Sequence, residues 1–458
     1  MADALLASLP VLVLTVPLAV VLVARATLAS REDVRLGAAV GAAVGILAPL
    51  AVLHPLDYCT FGPEAALVDR LFGWTLVGAA TWIGATLAAS ALDPETRRRR
   101  ARSGDDVSHG VFRGHPFLPW LLLAPTLVIL VLFLYWPAVR TVQLSTKLVR
   151  LGAPRGVDRC VANFTELVGP ERPGLVLGVL VAAVAALWLG ARLQRRGLPA
   201  AERWSGPLAG AGVAAVLVFL TLLWTASYRQ VFIVTMIVSV GVVVGGLAIS
   251  LALAVLAYQP VRGGAVYRTL LIWPYAISPP IAGLIFYVMF DPNSGIVQHL
   301  LEEWFGFGLP NYRQSPGLAV AVVILASIWK TLGYNLLFYI AGLQTVPKDQ
   351  IEAAMLDGAS AWTRFRYVTL PAISPITFFL IVTNLTYAFF ETFGTVDYLT
   401  AGGPARATTI AMYEIYQVAI PGRDLGRGAA QSLILFLGVI ALTVWQFRST
   451  GRRVSYGR

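Results

Sequence analysis

Charge is what this chain has least of. Only 13% of its 458 residues are Asp, Glu, Lys or Arg, about half the share a soluble chain carries to cover its surface. That shortage excludes a purely water-facing molecule and implies that most of the outer surface meets lipid. Lysine is scarcest: Lys147, Lys330 and Lys348 are the full set. None follows a glycine, so a phosphate-cradling G-x-x-x-x-G-K-[ST] loop is excluded. Cysteine occurs twice, as Cys59 and Cys160, with no CxxC, which argues against structural zinc and iron–sulfur sites. The four histidines (His54, His109, His115, His299) are scattered and supply no tetrahedral ligand set, so no metal is expected. The net charge is +11, yet the basic residues are not interleaved with aromatics as a nucleic-acid groove requires.

What the chain has in abundance is apolar length. Hydrophobic residues make up 57%. Crossing the hydrocarbon core takes a helix of about 20 apolar residues, and backbone groups in lipid must be satisfied within the segment. About eleven such runs occur: 5–24, 36–53, 71–92, 117–139, 174–191, 207–226, 231–258, 269–290, 317–343, 372–390 and 429–447. The expected fold class is an all-α polytopic membrane protein.

The basic residues fall between these runs. Arg97 to Arg100 with Arg102 form the densest cluster, and basic segments of this kind stay cytoplasmic. With that cluster inside, Arg25/Arg31/Arg35, Arg192/Arg195/Arg196, Arg262/Arg268, Lys348/Arg364/Arg366 and the arginine-rich C-terminus also fall inside. Asp57, Glu64, Asp69, Glu302 and Glu303 fall outside. The N-terminus is thus expected outside and the C-terminus in the cytoplasm. Both cysteines then lie on the external side, where an oxidising compartment would permit a bridge; two free thiols are the alternative.

One cytoplasmic segment, residues 346–370, is not a span. Pro347 suits a helix start, Asp349 and Glu352 suit its positive end, and Ile351, Met355 and Trp362 recur at near-helical spacing as one apolar stripe. Gly358 interrupts, so two short helices joined at a bend are expected. Such a segment could simply lie on the membrane surface.

The residues say more. Glu352-Ala353-Ala354, three residues, Gly358, nine residues, then Val368-x-Leu370-Pro371 resembles the EAA loop of binding-protein-dependent ABC importer permeases, with Val368 in place of the family's isoleucine. The segments 271–279 (LIWPYAISP) and 400–404 (TAGGP) also resemble that family. The finer match, to the permeases of glycerol-3-phosphate importers, rests on 384–393 and 429–432. The resemblance covers residues 116–172 and 228–458, and implies a type I ABC importer permease core of six helices. On that basis the chain divides into an N-terminal three-helix membrane segment (1–92), a basic cytoplasmic linker (93–115) and the permease core (116–458). The core carries an inserted helical hairpin, 173–227, and the coupling loop, 346–370.

The resemblance further implies that Glu352, Ala353, Ala354, Gly358, Leu370 and Pro371 couple the chain to an ATPase. The chain would bind no cofactor itself, ATP being used by the partner subunit. The implied partners are a cytoplasmic ATPase dimer, a second permease subunit and an extracytoplasmic solute-binding protein, in a bacterial-type cytoplasmic membrane. The implied solute is glycerol-3-phosphate or a related sugar or polyol, with an oligosaccharide as the alternative. Candidates along its path are Lys330, Asn335, Asn384, Tyr387 and Glu391, because polar groups inside spans are costly and are functional suspects. Lys330 could pair with a phosphate, or serve structurally; Trp329-Lys330 also resembles sugar permeases in general. The two asparagines could equally bond neighbouring helices. Ion-coupled transport would call for a carboxylate near a span centre, and none is read there, Glu391 falling at an end. A membrane enzyme would need clustered acid, base or nucleophile groups, and none is found.

Overall fold

The computed structural model describes residues 2–26, 31–53, 59–61, 66–92, 118–152, 156–169, 173–196, 199–259 and 263–450. The arginine run at 97–102, the rest of the linker with His109 and His115, His54, Arg262 and the tail from 451 lie outside them.

Nearly everything described is helix. In chain order come α1 (Ala2–Ala26), α2 (Arg31–Leu53) and α3 (Leu67–Leu92). Then α4 is built from Leu118–Leu130, a π-turn at Val131–Tyr135 and Trp136–Ser145. A short antiparallel pair, β1 (Lys147–Leu148) and β2 (Val157–Asp158), and α5 (Ala162–Thr165) follow. Next are α6 (Pro173–Arg196), α7 (Pro199–Leu222), α8 (Ala226–Tyr258), α9 (Gly264–Ile272), α10 (Pro279–Met289) and α11 (Ile296–Phe305). The chain continues with α12 (Pro316–Gln344), α13 (Lys348–Leu356), α14 (Ala361–Arg364), α15 (Ser374–Thr386), α16 (Thr392–Leu399), α17 (Ala411–Ala419) and α18 (Leu425–Thr450).

Among the described residues, seven helical runs are long and apolar enough to cross a membrane: 36–53, 67–90, 121–145, 226–258, 316–344, 374–399 and 425–448. Three apolar helices are shorter, at Val13–Ala24, Gly174–Gly190 and Gly210–Leu222. The sequence count of about eleven includes those three as spans.

Two span boundaries differ from the sequence reading. The run 269–290 is not one straight helix: Gly264–Ala276 and Pro279–Met289 meet at 105°. The cause is local. Pro279 and Pro280 bring no N–H, and a residue before proline is pushed out of the helical region. Ile277 (ψ 141°) and Ser278 (ψ 152°) are accordingly extended. The run expected to stop at Phe390 instead continues through a π-turn, Tyr387–Glu391, into α16. Glu391 therefore lies inside a helical run, not at its end. The sequence signal fails here because Thr392, Gly394, Thr395 and Asp397 dilute the apolar pattern while the helix goes on.

The other two π-turns each precede a proline. Val131–Tyr135 stands before Pro137, and Phe365–Thr369 before Pro371. A widened turn accommodates the ring that would otherwise meet the carbonyl four residues back.

The chain forms two compact units. Met1–Glu166 with Val418–Leu433 is one. Within it, α1 and α2 pack through small residues: a Cβ at Gly41 or Gly45 would meet the backbone of Val20 or Val16 at 2.7 and 2.6 Å. Thr15 also donates to the Gly45 carbonyl at 2.9 Å. This Gly-x-x-x-Gly spacing is how membrane helices approach closely. Cys59 and Cys160 are joined by a disulfide with their Cα atoms 5.5 Å apart. Beside it the Val161 N–H donates to Asp69 Oδ1 at 3.3 Å and Phe72 stacks on Phe164. These contacts tie the first three helices to the 160–164 segment, so this unit extends past the boundary at residue 92.

The second unit is Leu167–Gln417 with Ile434–Arg458. Its core is one apolar cluster that includes Val238 and Val242 of α8, Val323, Leu336 and Tyr339 of α12, Leu380 of α15 and Val396 of α16. The 346–370 segment and the buried polar groups of the candidate site belong to this unit.

Candidate functional site

The 346–370 segment is built by its own side chains. Pro347 stands extended immediately before α13, with Asp349 in the first turn. The helix closes when the Gly358 N–H bonds Met355 O and the Ala359 N–H bonds Ala354 O, both at 3.0 Å. That closure needs Gly358 at φ +74°, a left-handed conformation open to glycine without strain. After the bend Ser360 caps α14, accepting the Thr363 N–H at 3.2 Å. Arg364 reaches back across the bend to the Ala359 carbonyl at 2.7 Å. The result is two short helices joined at a braced corner.

Their outer surface is bare. Glu352, Ala353, Gly358 and Pro371 are exposed, and Ala354 is half-buried. Leu356 is 89% exposed, Trp362 68% and Tyr367 70%, with Met355 and Leu370 less so. The single stripe expected over Ile351, Met355 and Trp362 is not formed. Ile351 turns into the main apolar cluster, Met355 stays outside, and Trp362 lies beyond the corner, its ring tilted against Phe365 with centroids 5.7 Å apart. Helical periodicity cannot carry across a left-handed residue.

The polar groups proposed for a solute path lie deeper in the bundle. Asn335 of α12 and Asn384 of α15 are both buried and face each other. Asn335 donates to Asn384 Oδ1 at 3.1 Å, and Asn384 donates to Asn335 Oδ1 at 2.6 Å and to the Leu380 carbonyl at 2.8 Å. The two side chains thus bond each other, and the Leu380 carbonyl takes the second bond from the Asn384 amide. The Tyr387 hydroxyl is buried and makes no hydrogen bond among the described residues. Asn384 and Tyr387 stand three residues apart, yet the Asn384 amide is hydrogen-bonded while the Tyr387 hydroxyl is not. Lys330, 6% exposed in the middle of α12, donates to the Tyr275 carbonyl at 2.9 Å, and its ammonium lies 4.7 Å from the centre of that ring. Glu391 is exposed and lies within electrostatic reach of Lys330 without a contact ion pair among the described residues.

Three participants escaped the sequence reading. Ser360 was legible as a helix cap, a serine directly before a short helix. Arg364 was read only as a topology marker, because its reach across the bend depends on the corner geometry. Tyr275 acts through its carbonyl, for which side-chain patterns carry no signal. The cavity of about 230 Å³ lined by Tyr287, Tyr312, Arg313, Asp397 and Tyr398 was also unread. In it Arg313 bonds Asp291 at 2.8 Å and lies 4.2 Å from the Tyr287 ring centre.

Comparison with known proteins places this arrangement. Residues 246–455 match the family described as binding-protein-dependent transport system inner membrane component. The chain is 46% identical over 238 residues to the sn-glycerol-3-phosphate transport system permease protein UgpA of Yersinia pestis bv. Antiqua, covering 52% of this chain and 80% of that protein. It is 37% identical over 349 residues to the UgpA protein of Escherichia coli strain UTI89, covering 76% of this chain and 99% of that protein. Among solved structures it resembles a chain of a bacterial ABC transporter involved in import of the acidic polysaccharide alginate. The TM-score is 0.54 at 17% identity, covering 74% of this chain and 96% of that one. A second structure of an alginate ABC transporter, in complex with a pentasaccharide-bound periplasmic protein, matches with TM-score 0.53 at 18% identity, covering 75% and 96%. The chain belongs to the binding-protein-dependent transport system inner membrane component family and is a membrane-spanning permease subunit of an ABC importer.

Proposed function

We propose that this permease forms half of the translocation path for glycerol-3-phosphate or a closely related polyol phosphate. The observation that carries the reading is the 46% identity to glycerol-3-phosphate permeases across half the chain. The exposed corner at 346–370 supports the rest. A cytoplasmic loop presenting Leu356, Trp362 and Tyr367 to water has the apolar anchors that interfaces use, with Ala353 and Gly358 small enough for close approach. We assign it to docking an ATPase dimer that hydrolyses ATP on this chain's behalf. ATPase closure then turns the bundle between inward- and outward-facing states. The basic-residue distribution supports an external N-terminus and a cytoplasmic C-terminus. A second permease subunit and an external solute-binding protein complete the assembly, the latter in keeping with the alginate transporter captured with its periplasmic protein.

The test is uptake of labelled glycerol-3-phosphate in cells with and without this chain, with unlabelled disaccharides as competitors. Chain-dependent uptake that disaccharides leave untouched is expected. Unchanged glycerol-3-phosphate uptake with loss of a sugar's uptake would replace the solute assignment by a general sugar.

A further inference from the structure

The break between α9 and α10 leaves a specific vacancy. In an uninterrupted α-helix the Tyr275 carbonyl would accept the N–H of the residue four positions on. That residue is Pro279, which has none. The alternative donor in a tighter turn, Ser278, is extended (ψ 152°). Among the described residues no backbone N–H reaches this carbonyl, and an unpaired carbonyl in a membrane interior is expensive. The bond it does receive comes from α12: Lys330 Nζ at 2.9 Å.

The surroundings are fitted to that contact. One turn along α12, Gly333 is pressed so close to α9 that a Cβ there would stand 2.5 Å from the Ile272 carbonyl oxygen. Adjacent to Lys330, Trp329 packs on Trp273 at 6.4 Å and Phe286 at 5.5 Å, one on each side of the break. Beyond the break the chain is gripped by another helix. A Cβ at Gly283 would meet the Thr395 backbone at 2.8 Å, and one at Gly394 would meet the Pro280 ring at 2.7 Å, both contacts with α16. The two halves of the broken span therefore share α12, which touches both through Trp329, while α16 grips the half after the break.

We propose that Lys330 is a positioning residue that supplies the donor Pro279 lacks and so holds the break at its corner, rather than a residue that recognises the solute's charge. The break can then serve as a hinge between α9 and α10, braced from α12 by the Lys330–Tyr275 bond and by Trp329 lying against both halves. A charged donor is used because charge-assisted bonds to a carbonyl are the stronger ones. The proposal explains why one of only three lysines sits in mid-span with no ion-pair partner in contact among the described residues. Its link to transport rests on the permease assignment, but its core does not depend on which solute is carried.

The test is a double-mutant cycle on the full chain in lipid nanodiscs, with Lys330→Met, Pro279→Ala and both together, read as thermal unfolding midpoints. Lys330→Met lowers the midpoint by about 4 °C. In the Pro279→Ala background, where the backbone regains an N–H, the same change costs about half as much or less. Additive effects would overturn the proposal. Lys330→Gln, a neutral donor, supplies the second arm in the assembled importer with its solute. It keeps much of the maximal uptake rate at unchanged KM, while Lys330→Met loses about tenfold of the rate. If Gln is as poor as Met and KM rises in both, Lys330 contacts solute charge and the positioning role fails. A wild-type importer that ignores glycerol-3-phosphate would sink the solute assignment alone; the unfolding cycle would still decide the role of Lys330.

Discussion

Asn335 and Asn384 exchange hydrogen bonds across the contact between α12 and α15, each amide nitrogen donating to the other's oxygen. Both are buried, at 0% and 2% exposure. A polar pair inside a membrane bundle is worth keeping only if both members are satisfied, and here each amide oxygen accepts from the other side chain, with the Leu380 carbonyl taking a further bond from Asn384.

Truncating one member should cost more than its share. Asn335→Ala leaves the Asn384 amide facing apolar neighbours, a loss of about 1–2 kcal/mol. The double variant Asn335→Ala/Asn384→Ala should cost clearly less than the two singles summed. Unfolding midpoints of the detergent-purified chain give the comparison, and strictly additive singles would show that the amides do not act as a pair.

Gly358 separates backbone need from contact need. Nothing lies within 4 Å of the position its Cβ would occupy, yet its φ is +74°. Gly358→Asn should be tolerated by the loop itself, since asparagine enters the left-handed region readily, whereas Gly358→Val should strain it by about 1–2 kcal/mol. Gly358→Asp should leave the chain in the membrane at normal level while abolishing ATPase co-purification. ATPase recovery unchanged by the aspartate would remove the corner from the docking surface.

The disulfide joins positions 101 residues apart. Closing so long a loop restrains the unfolded chain, with about 2–4 kcal/mol as the usual stabilisation. Reductant should lower the unfolding midpoint of the wild-type chain, and Cys59→Ser/Cys160→Ser should start at that lower value and ignore reductant. Identical midpoints in all four conditions would mean the bridge is energetically idle.

Asp291 gives the 291–316 loop a pH dependence of definite sign. Its carboxylate accepts the N–H groups of Asn293 and Ser294 at 2.9 and 3.1 Å and then pairs with Arg313. The backbone bonds first, and Arg313 after them, hold its carboxyl below the ordinary carboxylate value. A carboxyl depressed in the folded state contributes stability above its unfolded pKa, and that contribution disappears as pH falls through the folded value. Limited proteolysis at 291–316 should therefore accelerate on acidification below the usual carboxylate range. Asp291→Asn should be already susceptible at neutral pH and respond less to acid. Equal pH profiles for the two chains would count against the carboxylate as the anchor.

Much of this protein was decided by the order of its residues alone. A chain with 57% hydrophobic residues and few charges has no stable option but helices in lipid, because each backbone group must find its partner nearby. The corner at Gly358 was likewise legible, since a glycine between two short helical patterns is a local event. Locality also explains the errors. The stripe through Ile351, Met355 and Trp362 was projected across a residue that reverses the backbone, and the span ending at Phe390 was cut where composition changed but hydrogen bonding did not. Tertiary structure alone decided what the polar groups do. Asn335 and Asn384 are 49 residues apart, and Lys330 and Tyr275 are 55 apart. Nothing in either neighbourhood names the other, because a side-chain pattern shows that a group must be satisfied and only packing shows by what.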